Sequence, residues 1–156
     1  MPANTKVDEV MSTGILVVRA DESVATAADK MADAGISALP VVDADGKLIG
    51  LLRDDDLIVS EARVHAPRFW NFLGAVIPFP GEMKQLEGEL RKVVGSTVAD
   101  LMESNPAVTT AEASLEDVAT LMHETDVRQI PVVDGQHNVV GIVTRGDIVR
   151  FIARTT

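Results

Sequence analysis

A chain of 156 residues is one domain-sized object, long enough to bury a proper core. Its 14 basic and 24 acidic residues leave a net charge of −10, which argues against a nucleic-acid backbone or an anionic membrane surface as partner, since both need clustered Lys and Arg. With no cysteine there is no disulfide, thiolate nucleophile or zinc–thiolate site, and 46% apolar against 3% aromatic residues points to an aliphatic core.

In chain order, the N-terminus MPANTKVDEVM lacks the apolar core of a signal peptide. The longest apolar stretch, near residues 69–80, is too short and broken to span a bilayer. A cytoplasmic protein is expected. Residues 7–11 form a short amphipathic lead-in, and residues 15–18 read as a strand. Ser23 opens a helix whose Val24, Ala27, Ala28 and Met31 make one apolar stripe, and Gly35 suits its C-terminal end. Strands follow at residues 38–42 and 48–52, and a helix runs from Asp54 to about Ala62.

The order then recurs. Ser114, with an acidic Asp117 three residues on, marks a helix start, and Leu115, Val118, Ala119 and Met122 repeat the stripe. Two β-branched runs, 130–133 and 139–143, flank a turn at Gly135, and a helical tail covers 148–154. An offset of 91 holds without a gap from Val7/Val98 to Asp56/Asp147, through Met11/Met102, the PVVD blocks at 40–43 and 131–134, and Gly50/Gly141. A PVVD block in register with distant Met, Gly and Asp exceeds chance, so the chain is a fused pair of strand-helix-strand-strand-helix units, an α/β (α+β) fold. Repeat 1 spans residues 7–62 and repeat 2 residues 98–154. Both are acidic: residues 1–60 carry 5 basic and 11 acidic side chains, and residues 98–156 carry 4 and 9.

The segment between them, 63–97, breaks the pattern. It holds Trp70 and three of the four Phe (Phe69, Phe72, Phe79), is interrupted by Pro78 and Pro80, and has room for one more helix over 83–94. Its aromatics either pack on the module's own flank or across a dimer, or form a docking patch for a partner.

No phosphate loop of the GxxxxGK[ST] type, no GxGxxG opening a helix and no GxSxG elbow occurs. His65, His123 and His137 are scattered without metal-ligand spacing and read as surface residues. No catalytic residue and no metal ligand is assigned. The one polar constellation with a mechanism is Thr144 and Asp147, after a strand and at a helix start. The two can simply cap the helix. Alternatively, the carboxylate accepts hydrogen bonds from the vicinal hydroxyls of a ribose, the threonine adds a third, and Arg128 offers a charge-assisted contact to phosphate.

The paired pattern of PVVD and GIVTRGDI, each after a Ser-capped helix, resembles a tandem CBS domain, or Bateman module, over roughly residues 7–60 and 98–152. The resemblance implies two CBS repeats packed through their sheets, with two clefts related by pseudo-twofold symmetry. It also implies binding of AMP, ADP, ATP or S-adenosylmethionine, with no cofactor, and pairing into a homodimer. Carried over residue by residue, Thr144 and Asp147 hold the ribose, the base lies near Ala107 and Thr109, and Gln129 and Arg128 face the phosphates. Repeat 1 keeps Asp56 but has Arg53 in place of the Thr, and Ser37 and Ala38 in place of Arg128 and Gln129. One good and one weak or empty site are therefore expected. Arg53 would meet a phosphate or pair with Asp54 or Asp55. The leading expectation is a non-catalytic module that senses an adenine nucleotide or S-adenosylmethionine and acts on an effector protein in trans. The alternatives are a ligand-free dimerisation or scaffold module, and a divalent-cation sensor built on residues 54–56.

Overall fold

The computed structural model describes residues 4–57, 69–72, 75–78 and 96–155. Repeat 1 contributes β1 (Val18–Arg19), α1 (Val24–Ala34), β2 (Ala38–Val42) and β3 (Leu48–Arg53), followed by one helical turn over 54–57. Strands β4 (Phe69–Phe72) and β5 (Ala75–Pro78) follow. Repeat 2 contributes α2 (Val98–Leu101), β6 (Glu103–Ser104), α3 (Leu115–Thr125), β7 (Gln129–Val133), β8 (Val139–Thr144) and α4 (Arg145–Thr155).

Local chemistry accounts for the helices. The Ser23 hydroxyl accepts the Thr26 amide at 3.1 Å, and Ser114 accepts that of Asp117 at 3.0 Å, so each long helix begins on a serine cap. Helix α1 ends where Gly35 takes the left-handed conformation (φ 62°), and α3 ends on Asp126 in the same region (φ 53°), which Asp tolerates better than most residues. The buried face of α1 is Val24, Ala27 and Met31, and that of α3 is Leu115, Val118 and Met122.

In the first sheet β1 runs parallel to β2, β2 pairs antiparallel with β3, and β3 pairs antiparallel with β6 of the other repeat. The second sheet pairs β7 with β8 and is extended by bridges at Thr109–Val132, parallel, and Ser12–Ile142, antiparallel. The two are copies under the 91-residue offset. Leu51 partners Glu103 as Ile142 partners Ser12, and Ser23 bridges Thr97 as Ser114 bridges Lys6. Lys47 and Asn138, themselves 91 apart, meet on the pseudo-twofold axis. Between the sheets Ala38, Leu51 and Ile142 pack together with Ile15.

These pairings reveal an exchange. The lead-in of each repeat packs on the other. The Val7 amide donates to Ala113 at 3.0 Å and the Leu115 amide to Thr5 at 2.8 Å; in mirror fashion Val98 donates to Glu22 at 2.9 Å and Val24 to Ser96 at 2.9 Å. Val7 is accordingly buried with Leu115, Val118 and Met122, whereas Val98 is buried with Ala27, Met31 and Leu39. Each lead-in thus belongs in sequence to one repeat and packs on the other. The exchange also explains two of the repeated identities. Met11 covers Gly141 and Met102 covers Gly50: a Cβ on Gly141 would lie 2.8 Å from the Met11 sulfur and 2.8 Å from the Ser12 carbonyl oxygen.

Three element boundaries differ from expectation. The strand over 15–18 is replaced by Val18–Arg19, because the chain turns at Gly14 (φ 62°) after Ser12 has paired with Ile142 of the other repeat. The final helix starts three residues earlier, at Arg145. Phe69–Phe72 and Ala75–Pro78, expected only as an interrupted aromatic stretch, form an antiparallel pair with Trp70 opposite Ile77. The packing of those aromatics, the helix over 83–94 and the remainder of the helix after Asp54 lie outside the described residues.

Candidate functional site

The exchange opens a cavity of about 660 Å³ between the repeats. Residues 12–16 form one wall, the end of α1 and the start of β2 (Ala34–Ala38, with Pro40) form another, and Ile142, Thr144, Asp147 and Arg150 of repeat 2 close it, with Asp54 at the edge. Leu16, 44% exposed, offers an apolar surface on the cavity wall.

Thr144 and Asp147 sit at the junction of β8 and α4. The Thr144 amide donates to Asp147 Oδ2 at 2.9 Å, and the Asp147 amide donates to the Thr144 hydroxyl at 3.1 Å, a reciprocal cap on the helix. Capping leaves capacity for more. The Thr144 hydroxyl accepts in that bond, so its own proton is available to a ligand. The Asp147 carboxylate offers about four lone-pair directions, and the bonds from the Thr144 amide and from Arg150, at 2.5 Å to Oδ1, occupy two. The remainder match a vicinal diol.

The structure separates the rest of the expected set from this pair. The residues across from Thr144 and Asp147 are Leu16, Ser37 and Ala38, which are the 91-residue counterparts of Ala107, Arg128 and Gln129. Because the lead-ins are exchanged, each cleft combines the strand-end Thr or Arg and the Asp of one repeat with the lead-in and first-strand start of the other. Ala107, Thr109, Arg128 and Gln129 therefore do not line the cavity that holds Thr144 and Asp147. Thr109 is buried in the sheet, its amide on the Pro131 carbonyl at 3.0 Å. Arg128 is exposed, and its carbonyl accepts the Arg145 amide. Gln129 comes nearest: buried to 5% exposure, its amide nitrogen donates to the Ser37 hydroxyl at 3.0 Å while its side-chain oxygen has no partner.

On the opposite side, the symmetry groups Arg53 and Asp56 with Glu103, Ala107 and Arg128. Asp56 Oδ2 accepts the Arg53 amide at 2.9 Å, the same cap as in repeat 2 but without a hydroxyl. The Arg53 guanidinium pairs with Glu103 of β6, not with Asp54 or Asp55, and its Nε is buried without a partner. Arg145 approaches Asp126 at 4.0 Å in the same region. Sequence reasoning missed Leu16 and Arg150 as cavity residues, and grouped Ser37 and Asp54 with Arg53 and Asp56 instead of with Thr144 and Asp147. Their only signal was position, at 91 residues from residues already singled out or on the helix after Asp147.

Among the described residues no three His, Asp or Glu side chains converge to hold a metal ion, and His123 and His137 are exposed. Among the same residues no helix is long and apolar enough to cross a membrane. Two carboxylates are held below their ordinary range. Glu22 accepts the Arg19 amide and pairs with Lys30 at 3.0 Å, while Asp134 accepts the amides of Asn138 and Gln136 in the β7–β8 turn.

The two repeats agree with a family model. Residues 7–62 and 98–154 match the CBS domain. The chain belongs to the CBS domain family. It is 34% identical over 135 residues to the chloroplastic CBS domain-containing protein CBSX1 of Arabidopsis thaliana, an alignment covering 86% of this chain and 57% of that protein. It thus spans little more than half the length of that relative. The crystal structure of CBSX2 in complex with AMP superposes with a TM-score of 0.72 at 29% identity, covering 96% of this chain and 97% of the other. Hypoxic Response Protein I with two coordinated zinc ions superposes at 0.66 with 28% identity, covering 94% and 98%. In this CBS pair the two sheets meet through Ala38, Leu51 and Ile142, beside the cavity that holds Thr144 and Asp147.

Proposed function

We propose that this CBS pair is a non-catalytic regulatory module that binds the adenosine portion of an adenine nucleotide or of S-adenosylmethionine, and passes the signal to an effector protein in trans. The observation that carries the reading is the Thr144–Asp147 pair facing a cavity of about 660 Å³, with hydrogen-bonding capacity left over for a ribose diol. The similar CBSX2 with AMP supports the ligand class. A ligand alters such a module only through different affinities for its two shapes or assembly states. Here it would bridge the two repeats, because repeat 1 supplies Leu16 and Ser37 and repeat 2 supplies Thr144 and Asp147.

A homodimer belongs to the same proposal, supported by Val149 (64% exposed) and Ile152 (38% exposed) on α4. A ligand-free scaffold is the second reading, favoured by the structural role that Thr144 and Asp147 have as a reciprocal helix cap. Thermal shift with AMP, ADP, ATP, S-adenosylmethionine and Mg²⁺ separates these readings. A compound that binds only the folded chain raises its melting temperature, by about 2.7 kcal/mol of stability at a hundred times its Kd. A rise with adenosine compounds supports the sensor, no rise with any compound supports the scaffold, and a rise with Mg²⁺ alone supports a cation sensor.

A further inference from the structure

We infer that the Thr144–Asp147 cleft takes an adenosine whose 5′ substituent is uncharged or positive, such as a thioether or a sulfonium, in preference to a 5′-phosphate. The inference rests on the sensor reading and narrows it to a ligand class. Its basis is how the exchanged lead-ins distribute charge. The cavity wall carries two carboxylates, Asp54 and Asp147, and one cation, Arg150. Arg150 is already bound to Asp147 at 2.5 Å, so among the described lining residues no positive charge lacks a carboxylate partner. Ser37 occupies the position where the opposite repeat has Arg128, and Asp54 the position where it has Arg145. The Ser37 hydroxyl accepts from the Gln129 amide nitrogen at 3.0 Å and leaves only its own proton, a neutral donor, for a ligand.

By the 91-residue symmetry three arginines fall on the side opposite the diol-binding pair, which keeps Arg150 alone among the described residues. The diol-binding pair faces the cavity with a serine and an aspartate, whereas Arg53, Arg128 and Arg145 belong to the side that lacks the threonine. A phosphate brings up to two negative charges per monoester at neutral pH and is held by charged donors or helix N-terminal amides. Here the Thr144 and Asp147 amides are already taken by the reciprocal cap. In this cleft it would meet Asp54 instead. A neutral thioether incurs no such repulsion, and the apolar surface of Leu16 suits it. A sulfonium would gain from the same carboxylate.

The test is calorimetry on the full chain with 5′-methylthioadenosine, S-adenosylmethionine, AMP and ATP, at low and at physiological salt. The expected result is that the two sulfur compounds bind at least about tenfold more tightly than AMP, that ATP is weaker still, and that added salt narrows the gap by screening the repulsion. Asp54→Asn should raise the affinity of AMP relative to 5′-methylthioadenosine by about tenfold. Ser37→Arg, which installs the counterpart of Arg128, should move the ratio the same way should Asp54→Asn fail to fold. AMP or ATP binding as tightly as 5′-methylthioadenosine in the wild-type chain, with Asp54→Asn and Ser37→Arg leaving the ratio unchanged, would overturn the charge argument while the sensor reading stands. Binding of none of the four compounds would overturn both.

Discussion

Gly141→Ala tests the exchange of lead-ins, on which the cleft depends. A Cβ at position 141 would lie 2.8 Å from the Ser12 carbonyl oxygen, a backbone atom, and 2.8 Å from the Met11 sulfur. Ordinary contact begins near 3.4 Å, so the Ser12 strand must retreat by roughly 0.6 Å. That strand is held by two hydrogen bonds, Ser12 to Ile142 at 2.9 Å and Ile142 to Ser12 at 3.1 Å, each contributing about 1 kcal/mol. Overpacking of this kind costs about 1–3 kcal/mol. For a chain of this size each kcal/mol lowers the melting temperature by about 2–4 °C, so a drop of roughly 2–12 °C is expected. Gly135→Ala is the control, since nothing lies within 4 Å of its added methyl. The assay is thermal melting of both variants. Equal melting temperatures for Gly141→Ala and Gly135→Ala would refute the close approach of Ser12 to β8, and with it the exchanged wall of the cavity.

Other outcomes follow from the same structure. Val149→Asp, on a side chain 64% exposed, should leave the melting temperature within about 2 °C while light scattering reports a halved mass if two copies pair through α4. Arg53→Thr supplies the hydroxyl that the opposite cleft lacks beside Asp56 and should add a second AMP-binding event in calorimetry. Unchanged stoichiometry would show that the hydroxyl is not what limits that cleft. Because the carboxyls of Glu22 and Asp134 are held below their ordinary values, they stabilise the fold at neutral pH, and that contribution fades as pH falls through the acidic carboxylate range. Asp134→Asn should accordingly lower stability at neutral and alkaline pH, where the carboxylate is ionised, and flatten the acid limb of the stability–pH curve.

The helices and hairpins were legible because their signals are local. Serine caps at 23 and 114, stripes ending at Met31 and Met122, and the PVVD blocks each act within about ten residues. The exchange left no local signal. Val7 needs an apolar slot on an Ala- or Val-bearing helix, and since the repeats are alike, either helix supplies one. The identities Met11/Met102 and Gly50/Gly141 were visible as repeats, but only the fold shows that Met11 lies on Gly141 and Met102 on Gly50. The same blindness misgrouped the site. Thr144 and Asp147 were singled out through their spacing at a helix start, whereas Ser37 and Leu16 share no sequence neighbourhood with them. The β4–β5 pair escaped notice because Pro78 ends one strand and each strand is only four residues long.

The central claim is that Asp147, facing the exchanged cleft, holds an adenosine ribose. It is tested most directly by calorimetry of Asp147→Ala and Asp56→Ala with AMP and with 5′-methylthioadenosine, each variant first shown by melting to be folded. Hydrogen bonds to a charged group contribute about 1.5–3 kcal/mol, so Asp147→Ala should lose roughly ten- to a hundredfold in affinity for whichever compound the wild type binds, while Asp56→Ala changes it by less than about twofold. Equal losses in the two variants, or an undiminished affinity in a folded Asp147→Ala, would contradict the account.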